Sequence, residues 1–413
     1  MKKRLLSALC AVMLLICTVP MASAQTGDAA RRADALTVLH LLSEDPGRDL
    51  TAPATRAQAA VLLVRLAGGE KKPDTDGWFA GFRDVPDWAR TAVNYANRRG
   101  WISGVSNVQF DPNGHLNADA WCAMLLRMLG YSDKTGDFEI SDAAAFAWRI
   151  GLTGRQLIGI LSVGDLAESI YDALDFCYKG TETTVLSRLM DLGVCTASAA
   201  NALGLLNKDY TARQLADRYL SAAFQLSLYE TEEQVHDEVS SADASGFFIS
   251  ADGLAVTNYH SIEDSIKATA TLLNGETYEV ERVLYYDTGI DIAVIKVSRT
   301  NQSRRTTSTF NHLDRVGTAD IRPGDPVYAI GNPLGLGLAI SSGIIGSTAH
   351  ELDRYALPCI VNSADISRGS SGGALMNAHG QVIGVTSGAY TYGNNMYLAV
   401  PVNPVMTADL TGP

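Results

Sequence analysis

No two cysteines in this sequence are spaced as CxxC, which removes the usual thiolate metal sites. Four cysteines follow residue 24: Cys122, Cys177, Cys195 and Cys359. They are far apart, so at least one free, buried thiol is expected. Positive charge is also short. Lys and Arg number 33 against 45 Asp and Glu, for a net charge of −12, which argues against nucleic acid as a partner. Past the N-terminal segment no apolar run is long enough to span a bilayer. The composition is neither collagen-like nor broadly disordered. A chain of 413 residues suggests two or more domains.

The one long apolar run lies at the N-terminus. Lys2, Lys3 and Arg4 precede "LLSALCAVMLLICTV", and Ala22-Ser23-Ala24 follows. A basic start, a short apolar stretch and small residues at a cleavage site describe a secretory signal peptide over 1–24. Its removal takes away three cations and no acids, leaving −15 on a chain that begins at Gln25. An exported protein with no membrane attachment after cleavage is expected. Export permits disulfides.

Residues 30–195 are rich in Ala and Leu at helical spacing. "TRAQAAVLLVRLAG" (55–68) aligns without gaps to "NADAWCAMLLRMLG" (117–130), and "SVGDLAESIYDAL" (162–174) is a looser third copy. Before the second copy stands "FRDVPDWARTAVNYANRRGWISGVSNVQFDPNG". It reads as a turn at Asp84–Pro86, an amphipathic helix, then a Gly-punctuated loop that turns Phe110 inward. These residues resemble an S-layer homology (SLH) module, a helical three-repeat unit. The resemblance implies docking to secondary cell-wall polysaccharide. In that family a Thr-Arg-Ala-Glu-like motif supplies the polymer-binding arginine. Only the first copy keeps it, as Thr55-Arg56-Ala57-Gln58; Ala118 and Val163 replace the arginine in the others. Arg56 is therefore the wall-binding candidate, since a guanidinium can grip a carboxylate with two bonds. An exposed arginine at a helix start reads the same way.

Residues 196–218 read as a linker and 219–413 as a second domain. A helix leads into a strand, "AFQLSLY", and then into an acidic loop containing His236. From about 245 the pattern is β, with short segments such as "GFFIS", "LAVTN", "IAVIKV" and "QVIGVTS" separated by turns such as Asp252-Gly253. Many short strands with Gly-rich turns predict an all-β barrel or sandwich. The fold class is thus multidomain, all-α followed by all-β.

Within the β half, "SRGSSGGAL" (367–375) lies between two strand-like segments. A flexible linker there would interrupt a barrel, so its glycines are read as serving a tight loop that exposes backbone amides. A serine in such a loop needs a base. His260 follows the apolar strand of "SGFFISADGLAVTNYH", and Asp291 opens "DIAVIKV". The chain order His, Asp, Ser is that of chymotrypsin-like barrels. These stretches, with "GDPVYAIGNPLGLGLAISSGIIGS" and "ISRGSSGGALMNAHGQVIGV", resemble the HtrA/Deg family of trypsin-like serine proteases over about 219–410.

The resemblance implies a double β-barrel endopeptidase that acts on protein or peptide substrates and needs no metal or organic cofactor. By position, His260 is the general base, Asp291 the orienting acid and Ser371 the nucleophile. The amides of Gly369 and Ser371 form the oxyanion hole. No PDZ domain is expected after the barrel. Ser370 stands where the family has Asn, and Asp365 where it has a small residue. In trypsin-type enzymes an acidic residue at the Asp365 spacing floors the specificity pocket and selects Lys or Arg. On the HtrA/Deg path Ile366 lines a small apolar pocket instead, and Asp365 faces solvent or Arg368. Two other functions stay open: a wall-binding protein whose barrel binds peptides without cleaving them, and an esterase or acyl transferase using the same triad.

Overall fold

Residues 28–43, 48–69, 78–206, 208–389 and 395–410 are described by the computed structural model. The expected signal peptide and the expected start at Gln25 lie outside them. The chain divides into two units. One comprises 1–133, 139–145 and 156–206; the other comprises 134–138, 146–155 and 207–413. The segment 146–155 looks like its helical neighbours in sequence, yet it groups with the β half, where Arg149 pairs with Glu276 at 3.2 Å.

In the first unit, the three copies of the repeat become three eleven-residue helices: Arg56–Leu66, Ala118–Met128 and Val163–Ala173. Thr55, Asn117 and Ser162 cap them, accepting from the amides of Gln58, Ala120 and Asp165. Each cap satisfies a donor that the first helical turn would otherwise leave unpaired. The residues just before the caps form a closed ring of backbone hydrogen bonds. Ala54 donates to Leu161 (2.8 Å), Leu161 to Leu116 (2.9 Å) and Leu116 to Ala54 (3.0 Å). A second ring links the first helical residues, with Arg56 donating to Gly114, Ala118 to Gly159 and Val163 to Ala52. Every copy gives to one neighbour and receives from the other, so the three are related by a pseudo-threefold axis. The looser third copy takes part equally. The helix expected before the second copy is Asp87–Arg98, and Phe110 is fully buried.

The second unit holds twelve strands among the described residues: β1 (Ala223–Tyr229), β2 (Ala242–Phe248), β3 (Leu254–Thr257), β4 (Lys267–Leu272), β5 (Thr277–Asp287), β6 (Ile292–Asn301), β7 (Pro326–Gly331), β8 (Ala339–His350), β9 (Cys359–Asn362), β10 (Ala374–Asn377), β11 (Val382–Ala389) and β12 (Tyr397–Pro401). The first six close into one barrel in the order β1-β2-β3-β6-β5-β4. The last six close into another in the order β10-β11-β12-β9-β8-β7. Between β1 and β2 the acidic stretch contains a short helix, Glu232–Asp237, rather than loop alone. Thr231 and Gln234 form a capping box at its start.

Successive residues of a strand point to opposite faces, and here several strands are buried on both. Phe248, Ala293 and Ile295 fill the first barrel, where Phe248 stacks on Phe310 at 4.2 Å. Their neighbours Phe247, Ile292 and Val294 instead join Val361, Val385 and Val400 of the second barrel in one cluster. Ile383 and Ala399 turn inward to fill the second barrel. This two-sided burial explains why "IAVI" (292–295) within "DIAVIKV" is an unbroken apolar run rather than an alternating one.

The burial of the residue before the third cap leads to a stability prediction. Leu161 is 1% exposed, and Leu161→Ala should lower stability by about 2–5 kcal/mol through the cavity it leaves. In full-length protein this should appear as an earlier urea transition for the helical signal. An unmoved transition would contradict the packing of that side chain in the helical core.

Candidate active site

Asp291 sits just before β6 with φ of 57°, a left-handed conformation that Asp tolerates better than most residues. The main chain there is held by Asn258, whose Nδ2 donates to the Asp291 carbonyl at 2.8 Å. The carboxylate meets three donors. The His260 amide donates to Oδ1 (2.9 Å), the His260 ring Nδ1 lies 2.7 Å from Oδ2, and the Ser387 hydroxyl donates to Oδ2 at 2.8 Å. Burial opposes ionisation of Asp291. The hydrogen bonds from the His260 ring and amide, the His260 charge and the Ser387 bond together outweigh it, and the carboxyl is held below the ordinary aspartate range.

His260 lies in a short helix, Tyr259–Ile262, directly after β3. Its side chain is 47% exposed while that of Asp291 is 12% exposed. With Nδ1 turned to the carboxylate, the tautomer that donates there leaves the Nε2 lone pair on the open side. Ser371 lies in the loop between β9 and β10. No hydrogen bond joins its hydroxyl to His260 or to any other described residue, so no bond within the fold holds it away from a base.

Glycine is required on both sides of Ser371. Gly369 and Gly372 have φ of +89° and +87°. A Cβ at Gly369 would lie 2.5 Å from the Asn332 carbonyl, and one at Gly372 would lie 2.2 Å from the Ser245 carbonyl. The loop is stitched to β11, since Thr386 Oγ1 donates to the Ser370 carbonyl (2.6 Å) and the Gly372 amide to the Thr386 carbonyl (2.8 Å). The Ser370 hydroxyl accepts from the Ser367 amide at 3.3 Å, closing the turn locally. Among the described residues, neither the Gly369 amide nor the Ser371 amide has a protein acceptor. Two unused donors flanking a serine are what an oxyanion requires.

Beside this loop is a pocket of about 160 Å³. Ala329, Ile340 and Ile366 supply apolar wall, and Ser370 and Thr386 also line it. Ile366 is buried and Asp365 is exposed. The Asp365 carboxylate accepts from the Tyr397 hydroxyl, and that bond pushes the phenol pKa up. Arg56 belongs to the other unit. Its Nε and Nη2 donate to the carbonyls of Phe110 (2.9 Å) and Ser103 (2.8 Å), and its guanidinium lies 4.7 Å from the centre of the Phe110 ring.

Sequence reading missed Ser387 and Tyr355. Tyr355 lies between β8 and β9, and its hydroxyl is 2.8 Å from that of Ser387, which in turn holds Asp291. The signal available for Ser387 was "VTSG", a polar pair inside a strand that is buried from Val382 to Ser387; nothing comparable marks Tyr355.

Residues 244–385 match the model of the trypsin-like peptidase domain. The chain is also similar to three bacterial proteins described as serine proteases or endoproteases. The putative serine protease HhoB of Synechocystis is 34% identical over 164 residues, covering 38% of this chain and 37% of that protein. The probable periplasmic serine endoprotease DegP-like of Bartonella henselae is 34% identical over 169 residues, covering 40% of this chain and 32% of that one. The probable serine protease do-like of Buchnera aphidicola is 38% identical over 175 residues, covering 40% and 35%. The chain thus spans about a third of the length of these relatives.

A pH dependence follows from the depressed Asp291 carboxyl. Its contribution to stability is complete above the ordinary aspartate range and is lost as pH falls through the lowered value. Asp291→Asn removes that term. Thermal midpoints of wild type and variant should differ at neutral pH and converge towards acid. Curves that stay parallel down to acid pH would contradict the assigned shift.

Proposed function

We propose that this chain is an exported serine endopeptidase that cleaves peptide bonds through an acyl-enzyme. The observation that carries the reading is the pairing of His260 with a buried, three-donor Asp291, together with the unused amides of Gly369 and Ser371. In this mechanism His260 Nε2 takes the Ser371 proton as Oγ attacks the scissile carbonyl. Asp291 keeps the imidazole in the required tautomer and stabilises the imidazolium. The Gly369 and Ser371 amides receive the oxyanion. His260 then passes the proton to the leaving amine, and water, activated by the same ring, releases the acyl group and restores Ser371.

The pocket supports a preference for small or medium aliphatic side chains before the scissile bond. Asp365 does not favour a basic one, because its carboxylate is exposed and already engaged by Tyr397. Location outside the cytoplasm is supported by the expected leader and by the printed description of the Bartonella henselae relative as periplasmic. No helix among the described residues is long and apolar enough to cross a membrane. For the helical unit we propose an SLH-like docking role towards secondary cell-wall polysaccharide. The pseudo-threefold ring supports it. Arg56 would meet an acidic group of the polymer through the guanidinium edge that Phe110 and Ser103 do not use.

Two measurements test the enzymatic reading. Ser371→Ala should lower peptide hydrolysis by at least about a thousandfold, since no neighbouring group replaces the alkoxide. Comparable turnover by the variant would refute the assignment. In a positional peptide library, cleavage should follow Val, Ala or Leu and be unchanged in Asp365→Ala. Cleavage after Lys or Arg that disappears in Asp365→Ala would reverse the specificity reading.

A further inference from the structure

Ser245 lies in β2 of the first barrel and is fully buried. Every polar atom it has is engaged, three of the four bonds with the second barrel. Its amide donates to the Ser371 carbonyl (2.8 Å), and its hydroxyl donates to the Gly369 carbonyl (2.6 Å). The same hydroxyl accepts from the Asn332 amide (2.8 Å), while its carbonyl accepts from Thr257 Oγ1 (2.8 Å). A hydroxyl has one proton to donate, and here it goes to the peptide that follows Gly369.

The peptide preceding Gly369 is fastened as well. The Leu334 amide donates to the Arg368 carbonyl at 2.6 Å. A trans peptide is planar and points its N–H opposite its C=O. Fixing the Arg368 carbonyl against Leu334 therefore turns the Gly369 N–H away from that segment. Asn332, two residues before Leu334, is the residue that Ser245 holds. One side chain thus anchors the carbonyl after Gly369 directly, and it anchors through Asn332 the segment that orients the Gly369 amide. Its own amide holds the Ser371 carbonyl, on the peptide after the serine, while the peptide that carries the Ser371 N–H is held at the Ser370 carbonyl by Thr386. Glycine at 369 has no side chain to limit its torsions, and the bonds to β11 hold the loop from Ser370 onward, so the direction of the Gly369 amide rests on the bonds around Asn332, Leu334 and Ser245.

We propose that Ser245 is a positioning residue that, through the loop segments it anchors, presets the direction of the oxyanion-binding Gly369 amide without touching substrate. The proposal rests on the protease reading above. It gives Ser245 a role in transition-state stabilisation and none in ground-state binding.

The test compares wild type and Ser245→Ala in the full chain, using one peptide substrate, a peptidyl boronate that forms a tetrahedral adduct with the nucleophile, and the product peptide. In Ser245→Ala, kcat and boronate affinity should both fall by about ten- to a hundredfold, while KM and product-peptide affinity stay within about twofold. Ser245→Cys keeps a weak donor of similar size and should fall between the two; it carries the comparison if Ser245→Ala does not fold. Unchanged kcat and boronate affinity would overturn the proposal. So would a parallel loss of boronate and product-peptide affinity, which is the pattern of general loosening. A wild-type chain that cleaves nothing and binds no boronate would overturn the protease reading first, and this proposal with it.

Discussion

An ionised carboxylate removed from water must be repaid in hydrogen bonds, and much of the second unit is arranged around that demand at Asp291. The residue takes a left-handed backbone conformation just before β6, and donors reach it from two places, the segment after β3 and β11. His260 arrives from the end of β3 and Ser387 from β11, while Asn258 holds the main chain behind it. Ser387 belongs to the second barrel and Asp291 to the first. The charge is therefore satisfied only when both barrels are closed and in register with one another. The imidazole is oriented as a by-product of that requirement.

The same two-barrel dependence recurs at the loop that carries Ser371. Ser371 is on the second barrel, yet its carbonyl and that of Gly369 are held by Ser245 of the first. Hydrogen bonds here cross an interface whose apolar residues, such as Phe247 and Val294 on one side and Val361 and Val400 on the other, form a single cluster. Burial draws the barrels together without direction, and the few polar contacts at the cluster's edge fix the angles of the reacting groups. Polar networks of this kind have large consequences when a member is removed, because each remaining group is left buried without a partner.

How much of this could be read in advance depended on how many residues shared a signal. The strands were legible because burial on both faces makes runs such as "IAVI" (292–295) apolar throughout. His260 and Asp291 were legible because each stands at the end of such a run, and Ser371 because glycines flank it on both sides. Ser245, Ser387 and Tyr355 were not. A lone serine or tyrosine within or near a strand looks like any residue filling the pleat, and its role lies in contacts 124 positions away for Ser245, 96 for Ser387 and 32 for Tyr355. The short helix at Glu232–Asp237 was hidden by its acidic composition, although Thr231 and Gln234 carried the capping signal. In the first unit the third copy of the repeat shares little side-chain identity with the others. What it shares is a capping residue, Ser162 in place of Thr55 or Asn117, and a main-chain ring that any side chain permits.

The central claim is that Ser371, and not its neighbour Ser370, is the nucleophile made reactive by His260. The most direct measurement is mass-spectrometric mapping of the adduct formed when the purified chain reacts with a fluorophosphonate. One phosphonyl group on Ser371, absent when His260 is replaced by alanine, is the predicted result. An adduct on Ser370, labelling that survives loss of His260, or no adduct at all would contradict the account.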